Sequence, residues 1–268
     1  MYGYNFMIGI IIAAGRSKRM GPLVDELPKC MLLVNDRPLL HHTIDRLKEA
    51  GCGEIVVIVG YKSDRIFADD CIFVTNHEYR TNNILHSLMS AREYLEGDVI
   101  CSYSDIWCEP EVFKNLKETP GDIVISVDSA WQDYYEGRTD HPMGEAEKVI
   151  YSRTLQPIKI GKTVQPDKEI HRECGEFRGL WRMSPQGSHM FKNLFEELDI
   201  ELEKHSPFQN SAQWQRAYIT DIFQEMIDRN LAMNISLVEK GWAELDTRQD
   251  YERLLDMVGT QSLYSLMN

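Results

Sequence analysis

Apolar residues fall in two patterns along this chain, and their alternation predicts its layout. Short unbroken runs, Ile8 to Ala14, Glu54 to Val59, Cys71 to Val74, Asp98 to Asp105 and Ile123 to Val127, read as strands buried on both faces. Between the first two, Leu39, Leu40, Thr43, Ile44, Leu47 and Ala50 fall at helical spacing, and Gly51-Cys52-Gly53 ends that helix with residues that tolerate positive φ. Strand, helix and strand make a βαβ unit, which predicts a parallel sheet. Residues 146 to 151, 155 to 160 and 177 to 183 read as shorter alternating strands. Helices are expected over residues 186 to 204 and 212 to 229, the second with Trp214, Ile219, Ile222, Phe223 and Met226 on one face. Strands at 233 to 238 and 241 to 247 and a helix over 249 to 258 close the chain.

The first strand runs into Ala13-Ala14-Gly15-Arg16-Ser17-Lys18-Arg19-Met20, and Pro28-Lys29 follows shortly. Small residues let the backbone approach a ligand, and Arg16, Lys18, Arg19 and Lys29 beside bare N–H groups suit a polyphosphate. The familiar phosphate loops do not fit. Gly15 and Gly21 are six apart and no Lys-Ser/Thr pair follows, so neither the dinucleotide fingerprint nor the P-loop is present.

The chain has 268 residues, 43% of them hydrophobic and 10% aromatic, enough to fill a core. A formal charge of −13 argues against nucleic acid as a partner, because phosphate-backbone binding depends on a basic surface. The six cysteines show no C-x-x-C spacing and read as reduced thiols of a cytoplasmic protein. The N-terminal apolar run is too short for an anchor, and no stretch approaches eighteen apolar residues, so no membrane insertion is expected.

The loop and Pro28-Lys29-Cys30-Met31-Leu32 together resemble the opening signature of the sugar-nucleotidyltransferase superfamily, in order and in spacing. The resemblance is closest to the CTP-using branch of phosphocholine, aminoethylphosphonate and inositol-phosphate cytidylyltransferases. It implies an α/β fold with a Rossmann-like, mostly parallel sheet flanked by helices and a smaller acceptor-binding subregion. It also implies one nucleotidyltransferase domain, its nucleotide part at about residues 1–130 and its acceptor and C-terminal part at about 131–268.

Carried over by position, Ala13, Ala14, Gly15, Arg16 and Ser17 would cradle the nucleotide, with Ser87 and Ser104 nearby. Arg19 would grip the β- and γ-phosphates and Lys29 the reacting phosphates. Asn83 matches the position that reads the base in the choline-phosphate branch, and a helix N-cap is the other reading of it. Asp105 and Asp246 match the family's metal-binding aspartates, which implies Mg²⁺; a hard cation takes one or two carboxylates and fills its octahedron with water and phosphates. Considered alone, Asp105 could equally end a strand as a turn or cap.

Lys162 resembles the family's second lysine, with Lys159 as competitor, and the hexose-type Glu-Lys-Pro is absent there. Residues 175 to 181, with Glu176 and Trp181, resemble the strand that forms the acceptor pocket; a buried tryptophan is also ordinary core. Asp128, Trp131, Tyr134 and Tyr135 place an acid and aromatic faces together, a combination that attracts an alkylammonium. Either they form an acceptor cage or they pack beneath a solvated loop, and Arg138 in the same segment also permits an anionic or polyol acceptor.

The function implied is a Mg²⁺-dependent cytidylyltransferase joining CMP from CTP to a small phosphate or phosphonate such as phosphocholine or 2-aminoethylphosphonate. Alternatives are a hexose-1-phosphate or inositol-phosphate nucleotidylyltransferase and a non-catalytic nucleotide-binding regulator. An NAD(P) oxidoreductase is disfavoured by the missing glycine fingerprint. Oligomeric state cannot be read from the chain.

Overall fold

The computed structural model describes residues 7–16, 18–165 and 172–265. In chain order the elements are β1 (Met7–Ala13), β2 (Leu33–Val34), β3 (Arg37–Pro38), α1 (Leu39–Glu49), β4 (Cys52–Val59), β5 (Ile72–Thr75), α2 (Ile84–Met89), β6 (Val99–Tyr103), β7 (Ile106–Cys108), α3 (Pro110–Glu118) and β8 (Ile123–Asp128). There follow α4 (Trp131–Tyr134), β9 (Lys148–Ser152), β10 (Pro157–Gly161), β11 (Arg172–Met183), α5 (Pro185–Glu201), α6 (Ile219–Asp228), β12 (Asn234–Val238), β13 (Trp242–Glu244) and α7 (Arg248–Ser265).

The centre of the main sheet is parallel. β1 lies between β4 and β6, with Ile10 opposite Val56 on one side and Cys101 on the other, and β5 extends the sheet beyond β4. This is the parallel sheet expected from the unbroken apolar runs, within the helix-flanked, Rossmann-like α/β fold that the resemblance implies. β11 then runs antiparallel to β6, β8 and β9, and β12 pairs in parallel with β8. Strand alternation divides β1 between two cores. Ile8, Ile10 and Ile12 pack with Trp181, Phe191 and Phe223 beneath α5 and α6, while Ile11 and Ala13 pack with Leu40, Ile44 and Leu47 of α1. A third cluster joins Met20 and Val24 of the N-terminal loop to Leu245, Leu254 and Val258, so the loop is tied to α7.

Several elements differ from the sequence pattern: α3 has no counterpart in it, α7, expected over 249 to 258, runs to Ser265, and α6 and β11 differ for identifiable reasons. The expected helix over 212 to 229 begins only at Ile219, because Tyr218 and Asp221 form a reciprocal cap there. The residues before it fold back instead, Trp214 N–H donating to Ser206 O and Gln215 N–H to Lys204 O. Trp214 still joins the core, but from a 3-10 turn rather than from the helix. β11 is also longer than its apolar part, since Arg172 to Glu176 pair with β9. Gly179, at φ +64, lies where the strand's register shifts, and a Cβ there would stand 2.4 Å from the Tyr103 ring.

Trp181 is fully buried, with its ring edge-on to Tyr103 and Phe223 at 6.0 and 5.9 Å between centroids. It is core, and it lines neither of the two cavities at the ends of β1 and β6. Trp181→Ala is therefore expected to cost about 3–5 kcal/mol of stability. A urea midpoint close to that of the unaltered protein would contradict this packing.

Candidate active site

Two adjoining cavities open where β1 and β6 end. The first, of about 310 Å³, is lined by Ala13, Ala14, Gly15, Arg16, Asn83, Ser87 and Ser104, together with Lys29 and Asp105. The second, of about 300 Å³, is lined by Arg19, His141, Glu147, Lys162, Glu176, Arg178, Glu244 and Asp246. Gly15, Lys29, Asn83 and Asp105 line both, so the cavities meet at Lys29.

The fold builds that junction from three separate stretches. Pro28 is extended and leads into a single 3-10 turn over Lys29–Met31, anchored by buried Cys30 and Met31. Asp105 occupies the turn between β6 and β7. β13 pairs antiparallel with β7, Glu244 opposite Ile106, and Leu245 N–H donates to Asp105 O at 2.8 Å. That register brings Asp246 to Asp105 across 141 residues of sequence, the difference between their numbers.

Lys29 is 8% exposed, and its Nζ stands 2.7 Å from Asp105 Oδ2 and 3.1 Å from Asp246 Oδ1. Burial disfavours its charge, but the two carboxylates outweigh burial and hold the ammonium above its ordinary pKa. Asp246 Oδ2 also meets Arg19 Nη2 at 2.8 Å and His141 Nδ1 at 3.1 Å. Burial raises the Asp246 pKa, yet Lys29, His141 and Arg19 together pull it well below the carboxylate range. At Glu244, Arg178 offsets burial only in part, so burial, with Asp246 and Asp105 beside it, pushes its carboxyl up.

These donors suit a hard cation. Asp105 Oδ1 is buried without a hydrogen-bond partner, and ligand atoms of His141, Glu244 and Asp246 lie within 4.8 Å of one another. Carboxylate oxygens at a phosphate-sized cavity are the donor type Mg²⁺ takes.

In the first cavity Ala13 and Ala14 are buried while Gly15 and Arg16 are exposed, with the Arg16 guanidinium 5.5 Å from the Tyr61 ring centroid. Ser17 lies outside the described residues. Asn83 occupies the residue before α2, but its side chain makes no cap; Nδ2 donates to Arg216 O at 3.1 Å. Ser87 Oγ accepts from Asn76 Nδ2 at 2.8 Å.

The second cavity takes Lys162, not Lys159, which lines a separate crevice. Lys162 Nζ pairs with Glu145 Oε2 at 3.1 Å and lies 5.0 Å from the Tyr218 ring. Glu176 faces the cavity, held by Tyr135 Oη at 2.7 Å and Arg178 Nη2 at 2.6 Å.

None of Asp128, Trp131 and Tyr134, expected as an acceptor cage, lines either of these cavities; Asp128 and Tyr134 line a separate cavity of about 340 Å³ with Trp242, which Trp131 does not border. Asp128 is 2% exposed and accepts from Ala130 N–H and Trp242 Nε1, both at 2.8 Å. Trp131 is buried against Tyr135 and Ala146. The Tyr134 hydroxyl accepts from Glu244 N–H at 2.9 Å, so it grips the strand behind the cavity. Sequence reasoning in turn missed His141, Glu147, Arg178 and Glu244. Only Glu244 carried a signal, two residues before Asp246 in an extended run and therefore on the same face.

Residues 9–159 match the MobA-like NTP transferase domain. The chain belongs to this nucleotidyltransferase family and is an enzyme of that kind. It is 26% identical over 257 residues to the CTP:phosphoglutamine cytidylyltransferase of Campylobacter jejuni, covering 92% of this chain and 98% of that protein. It is 33% identical over 168 residues to the CMP-5'-(3-aminopropyl)phosphonate synthase of Streptomyces rubellomurinus, covering 60% of this chain and 23% of that protein. Among solved structures, the Streptococcus pneumoniae CTP:phosphocholine cytidylyltransferase LicC superposes with a TM-score of 0.66 at 18% identity, over 94% of this chain and 99% of that one. A UDP-glucose pyrophosphorylase superposes with a TM-score of 0.71 at 13% identity, over 95% and 99%. These last two are likenesses of fold. Among the described residues no helix is long and apolar enough to cross a membrane.

Glu147 gives the nucleotidyltransferase a measurable pH signature. Its carboxyl is pushed up from 4.5 to about 7, by burial first, while Lys162 and the Thr220 hydroxyl oppose the shift. Folded Glu147 holds its proton to higher pH than unfolded Glu147 does, so its contribution to stability falls as pH rises from about 4.5 to about 7. Glu147→Gln is expected to gain about 2 kcal/mol at pH 8, from about 1.4 kcal/mol per pKa step reduced for screening, and to gain nothing at pH 4. Urea unfolding at both pH values checks this, and an equal effect at both would contradict it.

Proposed function

We propose that this enzyme transfers CMP from CTP to a small phosphate or phosphonate acceptor, releasing pyrophosphate, with Mg²⁺ held by Asp105 and Asp246. The observation that carries the proposal is the buried Lys29 between those two aspartates, at the junction of one cavity for a nucleotide and one for an acceptor. An acceptor oxygen attacks the α-phosphorus in line, a new P–O bond forms, the bond from that phosphorus to the bridging oxygen breaks, and pyrophosphate leaves with the electron pair. Such a reaction asks for positioning and charge neutralisation rather than a protein nucleophile.

The residues divide that work. Ala13 to Arg16 offer backbone N–H groups and a cation to the polyphosphate, Arg19 takes the β- and γ-phosphates, and Lys29 lies over the α-phosphate. Lys162 neutralises the acceptor phosphate from the opposite side. Asn83 and Ser87, on the wall of the first cavity, face the base and sugar. When bound, Mg²⁺ supplies charge neutralisation to the phosphates.

The choice of CTP rests on the branch resemblance at Asn83 and on the relatives, whose names join CTP or CMP to phosphorylated or phosphonate acceptors. The acceptor belongs, in this reading, to the phosphocholine or 2-aminoethylphosphonate class, small and amine-bearing. Glu147, Glu176 and Glu244 line the second cavity, and a cationic acceptor beside them would offset the burial that favours the neutral forms of Glu147 and Glu244, in place of the Asp128 cage.

Pyrophosphate release from CTP, UTP, GTP and dTTP with pooled phospho-acceptors tests the proposal. CTP is expected to lead UTP by at least about tenfold in kcat/KM, since a site that hydrogen-bonds the cytosine amine leaves acceptors unpaired against uracil. Asp105→Asn and Asp246→Asn should each lose about 100-fold or more with the fold intact by circular dichroism. Silence across the panel would end the proposal, and faster turnover of hexose or inositol phosphates than of any amine would replace the acceptor.

A further inference from the structure

The segment from residue 129 to 138 lines neither active-site cavity, yet it ends in a costly feature, a guanidinium buried completely behind the active site. Arg138 and Asp250 have side chains with no exposure at all. Arg138 Nε donates to Asp250 Oδ1 at 2.6 Å and Nη2 to Oδ2 at 3.0 Å, a two-pronged pair. The guanidinium is also flanked by the Tyr134 and Tyr135 rings at 4.8 and 5.0 Å.

A buried ion pair is a poor source of stability, because desolvation of both charges offsets their attraction. What this pair touches points to another use. Asp250 Oδ2 accepts from Asp246 N–H at 3.2 Å, Thr247 N–H at 2.8 Å and Thr247 Oγ1 at 2.9 Å. Capping α7 would need only the Thr247 bonds; the bond to Asp246 fixes the backbone of the aspartate that meets Lys29. The same Nη2 of Arg138 also lies 3.6 Å from Glu244 Oε2. One guanidinium therefore reaches both ends of Glu244-Leu245-Asp246, the first by a longer ion-pair approach and the last through Asp250.

We infer that the buried Arg138–Asp250 pair is a positioning device that sets the Asp246 and Glu244 carboxylates for the cation and phosphates, and that Arg138 and Asp250 are positioning residues of this active site. The inference rests on the proposed metal role of Asp246.

It is tested by titrating Mn²⁺ into the protein and following free Mn²⁺ by electron paramagnetic resonance, alongside the Mg²⁺ dependence of pyrophosphate release. Arg138→Met and Asp250→Asn are expected to weaken Mn²⁺ binding about tenfold or more, the scale set by groups that orient metal ligands elsewhere. The Mg²⁺ concentration for half-maximal rate should rise in step, with the KM for CTP at saturating Mg²⁺ within about twofold. Arg138→Lys, which keeps the charge but loses the planar fork, should fall between. If Arg138→Met does not fold, Arg138→Lys and Asp250→Asn decide. Folded variants whose Mn²⁺ affinity matches the unaltered protein would overturn the positioning role while leaving the metal at Asp246. An unaltered protein that binds no Mn²⁺, with or without CTP, would overturn both.

Discussion

Two aspartates can face each other in this interior only because Lys29 lies between them. The ammonium contacts one oxygen of each, and without it Asp105 and Asp246 would meet as like charges in a poorly solvated space. The surrounding structure serves that contact. The β7–β13 pairing delivers Asp246, the turn after Pro28 delivers Lys29, and Leu245 N–H holds the backbone of Asp105. Arg19 and His141 complete the shell on Asp246, so three cations or potential cations gather on one carboxylate. A polyphosphate entering the first cavity would meet those donors already assembled, with little reorganisation left for the moment of reaction.

The parallel centre of the fold was legible because its strands carry no polar alternation. Ile8 to Ala14 and Glu54 to Val59 could be buried on both faces only inside a sheet, and α1 between them has a single apolar stripe. The periphery was less legible, for physical reasons. Helical periodicity through Trp214 suggested a longer α6, but a cap formed by Tyr218 and Asp221 outweighed it. The polar start of β11 lacks an apolar pattern because its pairing with β9 is a matter of backbone hydrogen bonds.

For the site, local order in the chain was informative and side-chain direction was not. Ala13 to Arg16, Arg19, Lys29 and the two aspartates line the two adjoining cavities. Asp128, Trp131 and Tyr134 had the right chemistry for a cationic group, but the Asp128 carboxylate at the end of β8 is bonded to Ala130 N–H and Trp242 Nε1, and α4 packs Trp131 against Ala146 and Tyr134 against β13. There Tyr134, Tyr135 and Arg138 hold Glu244, Glu176 and Asp250. His141 gave no sign in the sequence, being an isolated residue in a stretch without periodicity, and Glu147 stands at the start of a run read as an alternating strand, a pattern that does not say which face meets the cavity.

The central claim is that the phosphorus transferred at this junction is the α-phosphorus of the nucleotide. Following radiolabel from CTP carrying ³²P at either the α or the γ position, in the presence of a phosphorylated or phosphonate amine, tests it directly. The account predicts that α-label enters a new product resistant to phosphatase while γ-label appears only in pyrophosphate. Label from the γ position entering the acceptor product, or α-label remaining in free CMP, would contradict it.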